Sequence, residues 1–406
     1  MSVQLFTGAA QIVTGERADP SGVLAGGALA VESGKVVAIG PEAELVARFE
    51  RAARIDCAGG VITPGFVDSH THAVFGGYRA AEYALRARGV PYMEIARRGG
   101  GINASIRDVR ALSEADLHAL AETRVTRALG QGTTTLEIKS GYGLEPAAEL
   151  KQLRVVRALR DAGHEVVATF MGAHEFPPEY RDRREDYVRL LVEEMIPEVA
   201  RAGLAVFCDV FCEPGVFTPA QTRTILAAGR DHGLIPKLHA DELENSGGAE
   251  LAVELGAASA DHLGAVSPAG IAALAGAPGT VATLLPTTLL FLGRNRYAPA
   301  RALLDAGASV ALASDYNPGS SPTWNMPLVM TVACSQMRMD PLEALVAATA
   351  GGARALRLDD RGTLRPGMRA DLLVWEAHDF NEIAYHFGAA PLRTVYRAGQ
   401  RVQGSL

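Results

Sequence analysis

The stretch Pro64-Gly65-Phe66-Val67-Asp68-Ser69-His70-Thr71-His72 decides how the rest of the chain is read. A Pro-Gly turn interrupts an apolar run (Val61, Ile62, Phe66, Val67) that ends in two histidines one residue apart. Positions i and i+2 of a β-strand share a face, so His70 and His72 can offer both imidazoles to one ion. An isolated His-x-His is a weak signal. Behind a turn and a short buried β-run it predicts a metal site, provided further ligands follow.

Seven more apolar or β-branched runs follow this one: TTTLEIKSGY, EVVATFMGAHEF, AVFCDVFCE, LIPKLHADEL, AASADHLGAV, TVATLLPTTLLFL and SVALASDYNPG. Helical patterns lie between most of them. Ser113-Glu114-Ala115-Asp116 resembles a capping box, followed by Leu117, Leu120, Ala121, Val125 and Leu129 at helical spacing. Further stripes run through Leu150, Leu153, Val156 and Leu159, and through Tyr187, Leu191, Met195 and Val199, with Ile225 and Leu226 after them. Strands alternating with helices call for a parallel sheet, and eight such units call for an α/β fold of the closed (β/α)₈ TIM barrel type. An open doubly wound sheet is the alternative, but no G-x-G-x-x-G follows the first strand.

Both ends differ from this middle. VQLFTGAAQIV, a hairpin around Ser33-Gly34-Lys35, and the terminal LRTVYRAGQRVQG read as strand-turn-strand. The expectation is a small β-sandwich built from residues 1–60 and 362–406 together, with the barrel occupying 61–361. The first connection, 75–108, is long and carries Arg79, Tyr92 and Gly99-Gly100-Gly101; connections at that end of a barrel shape a pocket.

The 406 residues carry a net charge of -7 with no basic block, which argues against nucleic acid as a partner. No apolar run reaches the ~18 residues of a membrane span, and the start has no basic segment before a long apolar one, so neither a span nor a signal peptide is expected. Four scattered cysteines (Cys57, Cys208, Cys212, Cys334) suggest a reducing cytoplasm rather than a disulfide framework. Cys208 and Cys212 share a strand face; buried small hydrophobes are the favoured reading over metal ligands.

In such a barrel the C-terminal strand ends line the site. Polar residues there are His70, His72, Lys139, Tyr142, His174, Glu213, His239, Glu242, His262, Thr287, Asp315 and Asn317, and they include five of the ten histidines. His70, His72, His239 and Asp315 give three imidazoles and a carboxylate, a set suited to Zn or Fe rather than Mg²⁺ or Ca²⁺. Asp315 can also accept a proton from a water on the ion, or merely initiate the Tyr316-Asn317-Pro318-Gly319 turn. Glu242 can protonate a leaving nitrogen or lie exposed at a helix start. His262 can polarise a carbonyl, add a ligand or cap the barrel, the first being favoured. His174 can contact substrate or sit in the core. Lys139 can be a carboxylated bridging ligand, but pairing with a nearby acid is favoured.

PGFVDSHTH, a later Leu-His-Ala-Asp, an Asp-His and a late Ala-Ser-Asp together resemble the amidohydrolase superfamily, in its branch with one metal ion. DSHTHAVFGGYRAAEY, ARRGGGI, KSGYGL, GAHEFPPE, KLHADELENSGG, RYAPAR and SDYNPGS are similar to the imidazolonepropionases within it and spread over most of the barrel. The resemblance implies ring opening of 4-imidazolone-5-propanoate to N-formimidoyl-L-glutamate in histidine degradation. It implies His70, His72, His239 and Asp315 as metal ligands, and Arg79, Tyr142, His174, Glu242, Asn317, Gly319 and Ser320 as substrate or product contacts. It also implies a homodimer. Arg79 fits the role chemically, since a guanidinium can hold the substrate's carboxylate tail in a bidentate fork. The expected mechanism has metal-bound hydroxide attacking the ring carbonyl, protonated His262 and the ion stabilising the oxyanion, Asp315 taking the water proton and Glu242 supplying one to the leaving nitrogen. Another mononuclear amidohydrolase, such as a nucleobase deaminase or cyclic-amide hydrolase, is the rival activity. A non-catalytic scaffold on the same barrel is disfavoured because all four ligands are kept.

Overall fold

The computed structural model describes residues 3–16, 18–90, 94 and 99–402. Eight parallel strands follow in chain order: β1 (Phe66–Asp68), β2 (Thr133–Lys139), β3 (Val166–Ala173), β4 (Phe207–Cys212), β5 (Ile235–Ala240), β6 (Ser259–His262), β7 (Val281–Leu284) and β8 (Val310–Leu312). Each pairs with its sequence neighbour, and the ends meet through a parallel bridge between Thr71 and Tyr316. The seam is reinforced by Asp315 N–H to His70 C=O (3.0 Å) and His72 N–H to Tyr316 C=O (2.8 Å). The buried Asp68 carboxylate accepts from the Ser314 N–H and hydroxyl. The seam therefore lies where two expected ligand segments run side by side.

The expected first strand divides at Gly65. Val61–Pro64 pairs with Leu372–Trp375 and with Gln11 and Ile12 in an outer sheet, and only Phe66–Asp68 enters the barrel. That outer sheet has six strands drawn from both ends of the chain, while a four-stranded sheet comes from residues 4–56 alone. Phe6, Leu29, Val31 and Val36 from one sheet pack with Ile12, Ile62, Leu372 and Val374 from the other, which makes the pair a sandwich. Its hairpin turns at Ser33 (φ 51°) and Gly34 (φ 79°), the left-handed pair a tight two-residue turn requires.

Helices cover the barrel as the stripes predict. Ser113 Oγ accepts from Asp116 N–H (3.1 Å) and starts Glu114–Gly130, whose Leu117, Ala121, Val125 and Leu129 are buried. Leu120 is 38% exposed; it lies at the edge of the buried stripe, where the helix surface turns to solvent. Tyr187, Leu191, Met195 and Val199 are all buried although they recur every four residues. A π-helical turn at Leu191–Met195 lies within this series, and its wider turn brings residues four apart closer to one face. Cys208 and Cys212 are buried in the core, as favoured.

Candidate metal centre

Four side chains from three distant parts of the sequence, His70 with His72, His239 and Asp315, converge at the mouth of the barrel. His70 Nε2 and His72 Nε2 each lie 3.6 Å from Asp315 Oδ1. The rings of His70 and His239 are 4.4 Å apart, and those of His72 and His239 5.7 Å. His70 Nε2 and His239 Nε2 are buried with no hydrogen-bond partner. Orphaned buried nitrogens pointing into one space are costly unless something accepts their lone pairs, and a cation does. The donor set fits a divalent transition metal.

The opposite ring nitrogens are tied down. His70 Nδ1 lies 2.6 Å from Asp261 Oδ2, and His239 Nδ1 lies 3.1 Å from Asp209 Oδ1. A carboxylate can only accept here, so each Nδ1 carries the proton and each Nε2 is left free to ligate. Burial, with the neighbouring cations, holds His70 and His72 well below the usual histidine range, so both are neutral imidazoles with a lone pair to offer. Asp315 sits at φ 52°, a left-handed conformation that turns its carboxylate towards the histidines. Thr288 Oγ1 donates to its other oxygen at 2.7 Å. The strand-end threonine singled out from sequence, Thr287, instead bonds the Ser314 carbonyl and the Ser321 hydroxyl.

His262 comes closer to the ion site than a wall residue would. It can form a ligand trio with His70 and His239, just as His70, His72 and Asp315 can. Burial keeps its imidazole well below the usual range, so the expected protonated form gives way to a neutral ring with one N–H to donate. Glu242 Oε2 is 3.7 Å from His262 Nδ1. Burial, then the charges of Asp315 and Glu213, push the Glu242 carboxyl up to about 8. It is therefore a protonated acid at neutral pH. Its loop is fixed by Glu213, which accepts the N–H groups of Glu242, Leu243 and Glu244.

A cavity of about 450 Å³ opens above these groups. Arg79, Tyr142, His174, Glu242, Asn317, Gly319 and Ser320 all line it. Arg79 starts the helix Ala80–Ala87 of the long first connection, and its guanidinium lies directly against Gly319, where a Cβ would overlap it. Arg124, buried beneath, fixes the approach by donating to the carbonyls of Ala73, Phe75 and Gly76. Tyr92, named from sequence in this connection, lies outside the described residues. His174 stacks on His72 at 4.9 Å and shares its Nδ1 proton with Gly141 C=O (3.0 Å). Burial brings it down to about 3, leaving a neutral Nε2 acceptor. The Asn317 amide is engaged in its own loop: Oδ1 accepts from Gly319 and Ser320 N–H, and Nδ2 donates to Asp315 C=O.

Lys139 pairs with acids, as favoured: Nζ is 2.7 Å from both Glu137 Oε1 and Asp209 Oδ2. Burial opposes its charge, but Asp209, Glu137 and Asp261 hold it firmly protonated. Asp209, Asp261, Lys237 and Glu137 were not among the residues predicted. The available signal was a charged residue inside each otherwise apolar strand: TTTLEIK, FCDVFC, IPKLHA and SADH. Arg86 and Arg294 also line the cavity, with no local motif to mark them.

The profile of the amidohydrolase family matches residues 61–402. The imidazolonepropionase of Geobacillus kaustophilus is 47% identical over 95% of this chain and 92% of its own length. That of Symbiobacterium thermophilum is 48% identical over 98% and 96%. Among solved structures, a zinc-bound adenosine deaminase from Xanthomonas campestris superposes with a TM-score of 0.72 at 22% identity, covering 98% of this chain and 92% of that one, a likeness of fold alone. The chain belongs to the amidohydrolase family and, within it, to the imidazolonepropionases.

Proposed function

We propose that the cavity hydrolyses 4-imidazolone-5-propanoate to N-formimidoyl-L-glutamate, the ring-opening step of histidine degradation. The observation that carries this reading is a cavity in which the imidazoles of His72 and His239 and the Asp315 carboxylate meet the Arg79 guanidinium, placed to hold a substrate's acid tail. His70, His72, His239 and Asp315 would hold the ion, zinc or iron. When bound, it supplies Lewis acidity, bringing a water's pKa towards about 7 and polarising the ring carbonyl.

The chain's own groups do the rest. Arg79 fixes the propanoate carboxylate. His174 Nε2 accepts from a ring N–H, and Tyr142 stands beside it against the flat ring. Asp315 takes the proton of the attacking water, and the neutral His262 donates its N–H to the carbonyl oxygen as charge develops there. Protonated Glu242 delivers its proton to the ring nitrogen as the carbonyl C–N bond breaks. Water thus contributes a hydroxyl to carbon, and the nitrogen gains its proton from Glu242, to be restored from Asp315. Asn317, Gly319 and Ser320 shape the wall that seats the tail.

The domain division at 1–60 with 362–406 and at 61–361, less the strand Val61–Pro64 that pairs in the outer sheet, accompanies this reading, as do a homodimer and a cytoplasmic location. No described helix is long and apolar enough to cross a membrane. The test is the loss of imidazolonepropionate absorbance with purified protein, with and without chelator, alongside guanine, cytosine and hydantoin. Chelator-sensitive turnover of imidazolonepropionate alone is expected; preference for any of the others would overturn the assignment.

A further inference from the structure

Beneath the ligands the barrel lumen is charged rather than apolar. Glu137, Lys139, Asp209, Lys237 and Asp261 are all fully buried. Lys139, Asp209 and Asp261 come from β2, β4 and β6, the alternate strands that contribute one layer of a barrel interior. Lys139 Nζ donates to Asp209 Oδ2 and Glu137 Oε1 and lies 3.6 Å from Asp261 Oδ2. Asp209 and Asp261 are the carboxylates that accept hydrogen bonds from the Nδ1–H groups of His239 and His70. One ammonium therefore touches both carboxylates that orient two of the ion's imidazoles. Lys237 is placed differently: Nζ donates to Ser69 C=O at 3.2 Å and stands 3.6 Å from Glu137 and 4.0 Å from Asp261.

We propose that Lys139 is a positioning residue for the metal centre: by clamping Asp209 and Asp261 together it fixes the rotation of the His239 and His70 rings so that both Nε2 atoms address one point. An imidazole turns about two torsions, and a single hydrogen bond at Nδ1 leaves it some freedom if the acceptor itself can swing. Joining both acceptors to one buried cation removes that freedom from two ligands at once. The layer also carries three carboxylates against two ammoniums, a residual negative charge that suits a divalent cation above it. This inference rests on the ligand set assigned under the proposed function.

The test is metal affinity, read by chelator competition with zinc, and the visible spectrum of the cobalt-substituted protein. Lys139→Met should weaken zinc binding about 10- to 100-fold and alter the cobalt spectrum, while KM of the fully loaded enzyme stays unchanged. Removing one charge from a buried cluster can prevent folding, so Lys139→Met is paired with Glu137→Gln, which contacts neither imidazole and restores the balance of charge. That double variant should fold and still bind zinc weakly. Wild-type affinity with an unaltered cobalt spectrum in either folded variant would overturn the proposal. His70→Ala separates the two failures: if it too binds zinc normally, the ligand set itself is wrong.

Discussion

Gly319→Ala isolates the guanidinium clamp from the rest of the site. The Gly319 backbone lies outside the left-handed region, so alanine meets no conformational barrier there. What it meets is Arg79: the added Cβ would overlap Nη2, Cζ and Nε. A guanidinium on a long side chain yields more easily than backbone, so the cost falls on where Arg79 points and not on the fold. Among the described residues its Nε has no hydrogen-bond partner, and Glu82 is 4.0 Å away. A hydrogen bond to a charged group contributes about 1.5–3 kcal/mol. Every 1.4 kcal/mol is tenfold, so losing the clamp should raise KM about 10- to 150-fold. The carboxylate is remote from the reacting carbonyl and is bound alike in ground and transition states, so kcat should change little. Steady-state kinetics on imidazolonepropionate would show this, with thermal unfolding as a control for the fold. Arg79→Ala should have a similar KM, and adding Gly319→Ala to it should do nothing further. Additive losses in the double variant would show that alanine acts on the substrate directly and would refute the reasoning.

Three further outcomes follow from the geometry. Thr288→Val removes the hydroxyl that anchors Asp315 and should weaken metal binding about tenfold in chelator competition, whereas Thr287→Val should not. His262→Asn should lower kcat about a hundredfold with metal content unchanged by elemental analysis, as loss of one oxyanion donor does; loss of the ion would instead place His262 among the ligands. At the far end of the barrel, Arg361 and Arg369 hold Glu165 below its usual carboxylate range against the effect of burial. Its stabilisation is fully present above the ordinary glutamate pKa and is lost as pH falls through the depressed one. Glu165→Gln should thus cost about 1 kcal/mol in denaturant unfolding at pH 7, and progressively less below about pH 4.

The alternation of eight strands with helices, the sandwich from both termini, and the polar residues at strand ends could all be read from the residues alone. Apolar periodicity and His-x-His spacing are local properties, and local properties survive in one dimension. His70, His72, His239 and Asp315 were legible because their residue types are rare in apolar runs and the barrel sends every strand end to one face.

Other matters depended on which atoms meet across strands distant in sequence. Thr288 rather than Thr287 reaches Asp315 because the phase of a short helix after β7 points it there. Val61–Pro64 leaves the barrel because Gly65 breaks the run and Leu372–Trp375 offers it a partner. Leu120 faces water and Asn317 serves its own loop for reasons of rotation and turn geometry. The pairing of Lys139 with Asp209 and Asp261 is set by strand register, since a shift of one residue would turn those side chains from the lumen to the helices. Only the closed barrel fixes that register, and with it the direction in which the histidines point.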